Sequence, residues 1–423
     1  MLKNYFSRLN PARASQKEKL SKVAIDLFPI LSGGSNGGIK VFLLDLIPQL
    51  ALSNPGVEFV LLTTHQNYDE LKLLTAKNIS LLNVIEKDES NVDRYTNLGI
   101  NLHNKFIFFL NNFKFIKHSE APKYFLRLNG IQAVLDPFAR YQFVESNIPV
   151  LSVIVDLQHK TYPFFFSDND LILRESLFDN TIQSCDYLIA ISDYTKNKII
   201  SLFPDVKTKI ETIHIQTTKH QYLECESTAN CLNRYFLILK KYLIYPANFW
   251  LHKNHEMLLT AFGIAISSGL PDDVNLVLTG QLSERAEEIR DLSIRMGLSD
   301  KVTFTGFVSE ADLALLLKNS LGMIFPSLYE GFGMPPIEAM SLGVPVSCSK
   351  STSLTEICGD AALYFDPRLP QQISDCIIEL SVNMRLREEL IQSGYQQAIS
   401  YTNIDKAAKG YMAALHKIYD KQS

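Results

Sequence analysis

The chain has 423 residues, enough for two or three domains, and 46% of them are hydrophobic against 20% charged, the balance of a globular protein with large cores. A net charge of −4, a pI near 6.2 and a mean hydropathy of +0.02 exclude a binder that depends on a broad basic face, so nucleic acid is not an expected partner. Six cysteines, at 185, 225, 231, 348, 358 and 376, form no C-x-x-C pair. That spacing suggests neither a zinc site nor a disulfide frame and fits a reducing cytoplasm. No stretch is long and apolar enough to span a bilayer. MLKNYFSRLNPARASQKEKL lacks the apolar core of a signal peptide, so residues 1–20 are expected to form a frayed arm, with a weak basic amphipathic contact as the alternative.

In chain order, KVAIDLFPI (22–30) predicts a first strand. LSGGSNGGIK follows with Gly33, Gly34, Gly37 and Gly38, and VFLLDLIPQLALS then reads as a largely apolar helix. VEFVLLTT (57–64) predicts a second strand, and further apolar runs lie at 131–135, 149–155 and 187–191. NKFIFFLNNFKFIK (104–117) interleaves aromatics with lysines. It reads as a buried helix with solvated lysines, with contact at a membrane surface as the alternative. Asp168-Asn169-Asp170 has a metal-binding D-x-D form, but it precedes LILRESLF, where Asp or Asn is expected to cap a helix. A polar stretch over 217–233 closes this first series.

A second series starts at YLIYPAN (242–248) and continues at 274–280, 301–305, 321–326, 344–347 and 362–365. His252 and His255 sit three apart with no further ligand pattern, so zinc is not expected. IDKAAKGYMAALHKIYD, near the end, has a helical pattern. Strands alternating with helices imply parallel sheets covered on both faces. The expected class is α/β, with two doubly wound, Rossmann-like domains facing each other across a cleft. Ligands of such sheets bind at the carboxyl ends of the strands, where the glycine loops fall.

The most informative run is PSLYEGFGMPPIEAMSLGVP (326–345). Glu330 and Glu338 stand eight positions apart around a loop with Gly331, Phe332, Gly333 and Met334, followed by Pro335 and Pro336. LGMIFPS upstream reads as a buried strand and IEAMSLG downstream as a helix with prolines at its entry. Such a loop can hold a phosphate on backbone N–H groups at the helix N-terminus. Glu338, expected in the first helical turn, and Glu330, on the loop, can each accept from hydroxyl groups. A diphosphate flanked by two polyols is a nucleotide sugar. The plain alternative is a strand–helix loop whose glutamate merely suits the helix dipole.

This run resembles the E-x7-E segment of the retaining glycosyltransferases of family four (the glycosyl transferases group 1 type), which have the GT-B fold. Residues 245–262, 274–280, 301–320 and 351–367 resemble that family's second domain in the same order, and 156–167 and 186–199 match its first domain more loosely. The resemblance covers most of residues 22 to 415. It implies a first domain over 21–230, a second over 235–404, and a terminal helix at about 405–423 that crosses back onto the first. Lys253 is then the lysine that contacts the donor diphosphate and offsets charge on the departing group. Many relatives carry an arginine five residues earlier, where this chain has Asn248. Gly37 and Gly38 match the glycine loop near the donor phosphates, and Gly306, Phe307 and Val308 the loop near the nucleobase. Asp156 ends the strand LSVIVD close to the reacting sugar. Relatives often have a histidine immediately before that aspartate. Here the position is Val155, and strand alternation does not put His159 in the same place.

The expected activity is a cytoplasmic, metal-independent, retaining glycosyltransferase that uses no cofactor. It would move a mannose-like or glucose-like hexose from a nucleotide diphosphate sugar to a saccharide or lipid-linked saccharide, in cell-surface polysaccharide or glycolipid synthesis. Peripheral contact with the inner membrane face fits a lipid-linked acceptor. The expected catalytic residues are Glu330, Asp156 and Lys253. The expected donor-binding residues are Gly37, Gly38, Asn248, Lys253, Gly306, Phe307, Val308, Gly331, Phe332, Gly333, Met334 and Glu338. The alternatives are a non-catalytic or partner-dependent sugar-nucleotide-binding subunit, and a phosphorylase or epimerase on the same fold. No lysine context suggests a pyridoxal phosphate site.

Overall fold

The computed structural model describes residues 19–30, 37–64, 66–83, 125–140, 143–217, 227–238 and 240–422. The 104–117 segment, Gly33, Gly34 and Cys225 lie outside them. Two all-parallel sheets organise the chain. The first contains β1 (Lys22–Asp26), β2 (Glu58–Thr63), β3 (Ile79–Asn83), β4 (Ala133–Asp136), β5 (Val150–Ile154), β6 (Tyr187–Ala190) and β7 (Lys209–Thr212), in the order β3-β2-β1-β4-β5-β6-β7. The second contains β8 (Lys241–Pro246), β9 (Val274–Thr279), β10 (Val302–Gly306), β11 (Gly322–Phe325), β12 (Val346–Ser349) and β13 (Ala362–Phe365), in the order β10-β9-β8-β11-β12-β13. The central strands are runs of Val, Ile and Leu because helices cover both faces and leave no side for polar residues. Strand order reverses between β1 and β4 in the first sheet and between β8 and β11 in the second. These are the two doubly wound α/β sheets that the alternating pattern implied, in the arrangement expected from the resemblance to GT-B proteins.

Two strands escaped the sequence pattern. ISLLN at β3 and KIET at β7 are the outer strands of the first sheet and are only partly covered. A half-wetted edge needs no apolar run, so period and hydrophobicity carry little signal there.

The terminal helix Ile404–Gln422 packs along the helix Gly38–Ser53 of the first half. Tyr411 meets Phe42 at 6.2 Å, Gln132 Nε2 donates to the Tyr419 hydroxyl at 3.2 Å, and Ala407, Ala408 and Leu415 are buried. Two segment edges move. Leu20, placed in the arm, is buried in the core, because an apolar residue directly ahead of β1 can reach it. The helix Thr228–Arg234 straddles the expected boundary but packs with the second half. There Arg234 and the Tyr235 hydroxyl reach Asp312 at 2.6 and 2.7 Å.

Candidate active site

The motif run folds as β11, an eight-residue connection over 326–333, and the helix Met334–Ser341. The helix starts earlier than its apolar pattern suggests. Pro335 and Pro336 occupy its second and third positions, where a missing N–H costs no helical bond. Two corrections follow. Glu338 is the fifth helical residue, in the second turn rather than the first, and is half-buried. The first turn also offers fewer donors than expected, since the prolines have none and leave Gly333 and Met334 to present N–H groups. Most positive charge at this end must therefore come from a side chain.

Lys253 supplies it. A 3₁₀ turn, Leu251–Lys253, follows β8 and turns sharply at Asn254 (φ 62°). Asn254 Nδ2 donates to the carbonyls of Pro326 and Pro367 at 3.1 and 2.8 Å, and Leu328 N donates to the His252 carbonyl at 2.7 Å. The Tyr245 hydroxyl holds the Lys253 carbonyl at 2.8 Å. The loops after β8 and β11 are thus laced together at the switch point of the second sheet. Lys253 Nζ lies 2.5 Å from Glu330 Oε1, with the two side chains 11% and 13% exposed. So little solvent makes the pair's field strong at any third charge placed beside it.

The first half closes over this pair. A side chain at Gly331 would put its Cβ 1.9 Å from the Val155 carbonyl oxygen and 3.1 Å from Asp156 Cβ, so the close approach requires glycine. The Gly331 carbonyl accepts from Ser192 Oγ at 2.7 Å and Thr195 Oγ1 at 3.3 Å. The Tyr329 hydroxyl accepts from Leu157 N at 3.3 Å. Asp156 Oδ1 accepts from Gln158 N at 3.0 Å. Burial raises the Asp156 pKa, the Arg174 charge opposes this, and Glu330 and Lys253 act on it from across the cleft. The structure therefore brings together Asp156, Glu330 and Lys253, taken from both halves.

The glycine loop of the first half joins them. Gly37 (φ 57°) caps the helix Gly38–Ser53, and a Cβ on Gly38 would meet Met334 Sδ at 2.5 Å. Gly333 (φ 105°) caps the motif helix in a left-handed conformation natural only to glycine. Ser353 Oγ stands 2.9 Å from the carbonyls of both Glu330 and Phe332, and Thr352 Oγ1 accepts from Glu330 N at 3.1 Å.

Other expected site residues stand differently. The Phe332 ring is buried, 5.5 Å from Tyr401, so only its backbone can face a ligand. Asn248 Oδ1 accepts from Gln281 N at 3.0 Å, tying the loop after β8 to the loop after β9. Gly306 accepts from Gly280 N at 3.0 Å and continues that row to the end of β10, where Phe307 is 72% exposed and Val308 is buried. The cap ahead of LILRESLF is Ser167, whose Oγ accepts from Asp170 N, so Asp168 and Asp170 are first-turn residues instead. His159 packs on Phe178 at 4.8 Å, with burial pushing its pKa down to about 3, and does not reach for the cleft. Burial also depresses His252 and takes His255 to about 3.

Four contributors went unread in the sequence. Arg174, on the helix Asp168–Ser184, projects its charge onto Asp156, His252 and His159. Ser192 and Thr195 hold Gly331, and an S-x-x-T cap pattern was their available signal. Glu356, from the second half, accepts from the N–H groups of Asp193 and Tyr194 at 2.8 Å each and reaches His214 Nε2 at 2.7 Å. Asp193, His214 and Glu356 are the one group with metal-ligand spacing among the described residues. The Glu356 carboxylate is engaged there in capping the helix Asp193–Leu202.

Residues 239–397 match the family described as Glycosyl transferases group 1. They form a glycosyl transferases group 1 domain. The O-antigen chain mannosyltransferase B of Escherichia coli is 30% identical over 254 residues, 58% of this chain and 65% of that protein. The O-antigen chain mannosyltransferase RfbU of Salmonella typhimurium is 26% identical over 222 residues, 52% of this chain and 58% of its own length. The chain thus spans less than two thirds of these relatives. Among solved structures, the sucrose-phosphate synthase of Thermosynechococcus elongatus superposes with a TM-score of 0.70 at 18% identity, over 95% of this chain and 100% of that one. Anabaena Alr3699/HepE in complex with UDP and glucose gives 0.68 at 13% identity, over 94% and 100%. Both show the shared fold.

Proposed function

We propose that this protein is a retaining, metal-independent hexosyltransferase using a nucleotide diphosphate sugar, with a mannose-like donor favoured by its relatives. The observation that carries this reading is the meeting of Lys253, Glu330 and Asp156 at the strand ends of two facing sheets. Lys253 and the N–H groups of Gly333 and Met334 are suited to the diphosphate. Glu338 is suited to the ribose and Phe307 to the face of the base. As the C1–oxygen bond to the diphosphate breaks, positive charge builds on the sugar, and Glu330 and Asp156 are the carboxylates to offset it. The acceptor hydroxyl oxygen bonds to C1 on the same face, and its proton passes to the departing phosphate oxygen. Lys253 offsets the leaving charge in the manner of a metal ion.

The acceptor is a saccharide or lipid-linked saccharide in polysaccharide assembly, in keeping with the relatives' names. Action in the cytoplasm, peripheral to the inner membrane face, suits that acceptor. Among the described residues no helix is long and apolar enough to cross a membrane.

Calorimetry with GDP and UDP, followed by turnover of GDP-mannose and UDP-glucose with and without EDTA, tests the reading. Expected are nucleotide binding, turnover that survives EDTA, and a product whose anomeric proton keeps the donor's configuration. Binding without turnover would instead support a non-catalytic subunit. Turnover lost in EDTA and restored by magnesium would overturn the charge assignment.

A further inference from the structure

An aromatic cluster stands beside the carboxylates and plays no part in the chemistry above. After β5 the chain passes Asp156, a short helix Gln158–Thr161, and a 3₁₀ turn at Pro163–Phe165. Tyr162 and Phe165 stack at 5.2 Å with planes 15° apart. Phe164 packs edge-on against both, at 5.8 and 4.7 Å, yet is 73% exposed. A phenylalanine this exposed, held by two aromatic neighbours, presents an apolar face that no other ring among the described residues is shown to cover.

Its position is tied to the reaction centre from both sides. Tyr162 meets Tyr329 edge-on at 6.2 Å, and Tyr329 immediately precedes Glu330. The Tyr329 hydroxyl accepts from Leu157 N, directly after Asp156. The rings therefore form a continuous path from solvent to the two carboxylates.

We propose that Tyr162, Phe164 and Phe165 form the acceptor subsite, a platform for the apolar face of a neutral pyranose ring. The inference rests on the glycosyltransferase reading and deepens it. A pyranose offers C–H groups on one face and hydroxyls around its rim, so it needs a ring to stack on and polar groups beside it. The polar groups are present. Arg174 lies over the Phe166 ring at 4.7 Å, and the Tyr162 hydroxyl belongs to the cluster itself. Charge favours a neutral saccharide over a bilayer. Lys160 is paired with Glu175 and Asp179 at 3.3 and 3.1 Å, and Asp168 and Asp170 follow in the next turn. Four carboxylates against one paired lysine and Arg174 repel an anionic lipid surface.

The test compares wild type, Phe164→Ala and Phe164→Trp. Saturation-transfer NMR with the methyl glycosides of mannose, glucose, galactose and N-acetylglucosamine is run in saturating GDP or UDP, and nucleotide affinity is measured by calorimetry. At least one glycoside should bind wild type, with saturation concentrated on one ring face. Phe164→Ala should weaken it about five- to ten-fold, Phe164→Trp should restore it, and nucleotide affinity should not change. Equal saccharide affinity in wild type and Phe164→Ala overturns the subsite. So does a wild type that binds nucleotide but none of the glycosides. Loss of phosphatidylglycerol vesicle binding in Phe164→Ala, with saccharide binding intact, would make the ring a membrane contact instead. A wild type that binds neither GDP nor UDP would fail at the glycosyltransferase reading itself, and this inference would fall with it.

Discussion

At the scale of single residues, the tight pairing of Lys253 with Glu330 changes what each substitution should do. Glu330→Gln keeps the shape of the side chain but removes the charge that faces both the sugar and the lysine. The term lost belongs to the transition state, so turnover should fall about 10²- to 10³-fold, as for other charge-stabilising groups. Lys253, released from its partner, should bind free nucleotide diphosphate as tightly as before or more tightly. Parallel kcat and calorimetric measurements check both, and a variant that loses nucleotide affinity while keeping kcat would reverse the assignment. Gly331→Ala tests the approach of the two halves. Its Cβ would sit 1.9 Å from the Val155 carbonyl oxygen, against backbone that cannot swing aside. Closure should fail, turnover should drop at least about ten-fold by misplacement of Glu330 against Asp156, and circular dichroism should show both sheets intact. Wild-type turnover in this variant would mean that the reaction does not need the closed arrangement.

Among elements, the decisive feature is a helix of one half capped by a side chain of the other. Ser192 caps the helix Asp193–Leu202 in the usual local way, while Glu356 adds a carboxylate at its positive end from across the cleft. Charge-assisted bonds of this kind contribute about 1.5–3 kcal/mol each, less where solvent reaches them, and Glu356 is 22% exposed. Glu356→Ala should therefore lower Tm by a few degrees and speed amide exchange at Asp193 and Tyr194, with little change inside the sheets. Exchange that rose uniformly through both halves would show Glu356 to be a general stabiliser rather than a clasp. The same element explains the loop geometry, because Ser192 and Thr195 also hold the Gly331 carbonyl.

On the scale of the whole molecule, winding each sheet outward in two directions leaves the strand ends crowded where the order reverses. In the first sheet this sets Asp26, at the end of β1, beside Asp136, at the end of β4. Burial and the Asp136 charge raise the Asp26 pKa to about 7, against a bond from Phe28 N and the charge of Arg140. The folded state thus holds a proton that the unfolded chain releases near pH 3.8. The stabilising contribution is full below that value and is lost as pH rises toward 7. Asp26→Asn keeps an oxygen for Phe28 N and cannot titrate. The Tm difference between variant and wild type should grow in the variant's favour between pH 4 and pH 7. A constant difference across that window would show that Asp26 is charged throughout.

The alternating apolar runs determined the class of fold and the positions of eleven strands, since central parallel strands must be apolar on both faces whatever surrounds them. They could not reveal β3 and β7, whose edges face water. The glycine loop and its two glutamates were equally legible, because close backbone approach and left-handed turns demand glycine wherever they occur. Partnership was a different matter. That Glu330 is paired with Lys253, that Glu338 sits a turn deeper than its motif suggests, that Phe332 packs inward, and that Arg174 and Glu356 belong to the cleft all depend on contacts between residues far apart in the chain. Local pattern records the environment a residue needs. Only the tertiary fold decides which distant group supplies it.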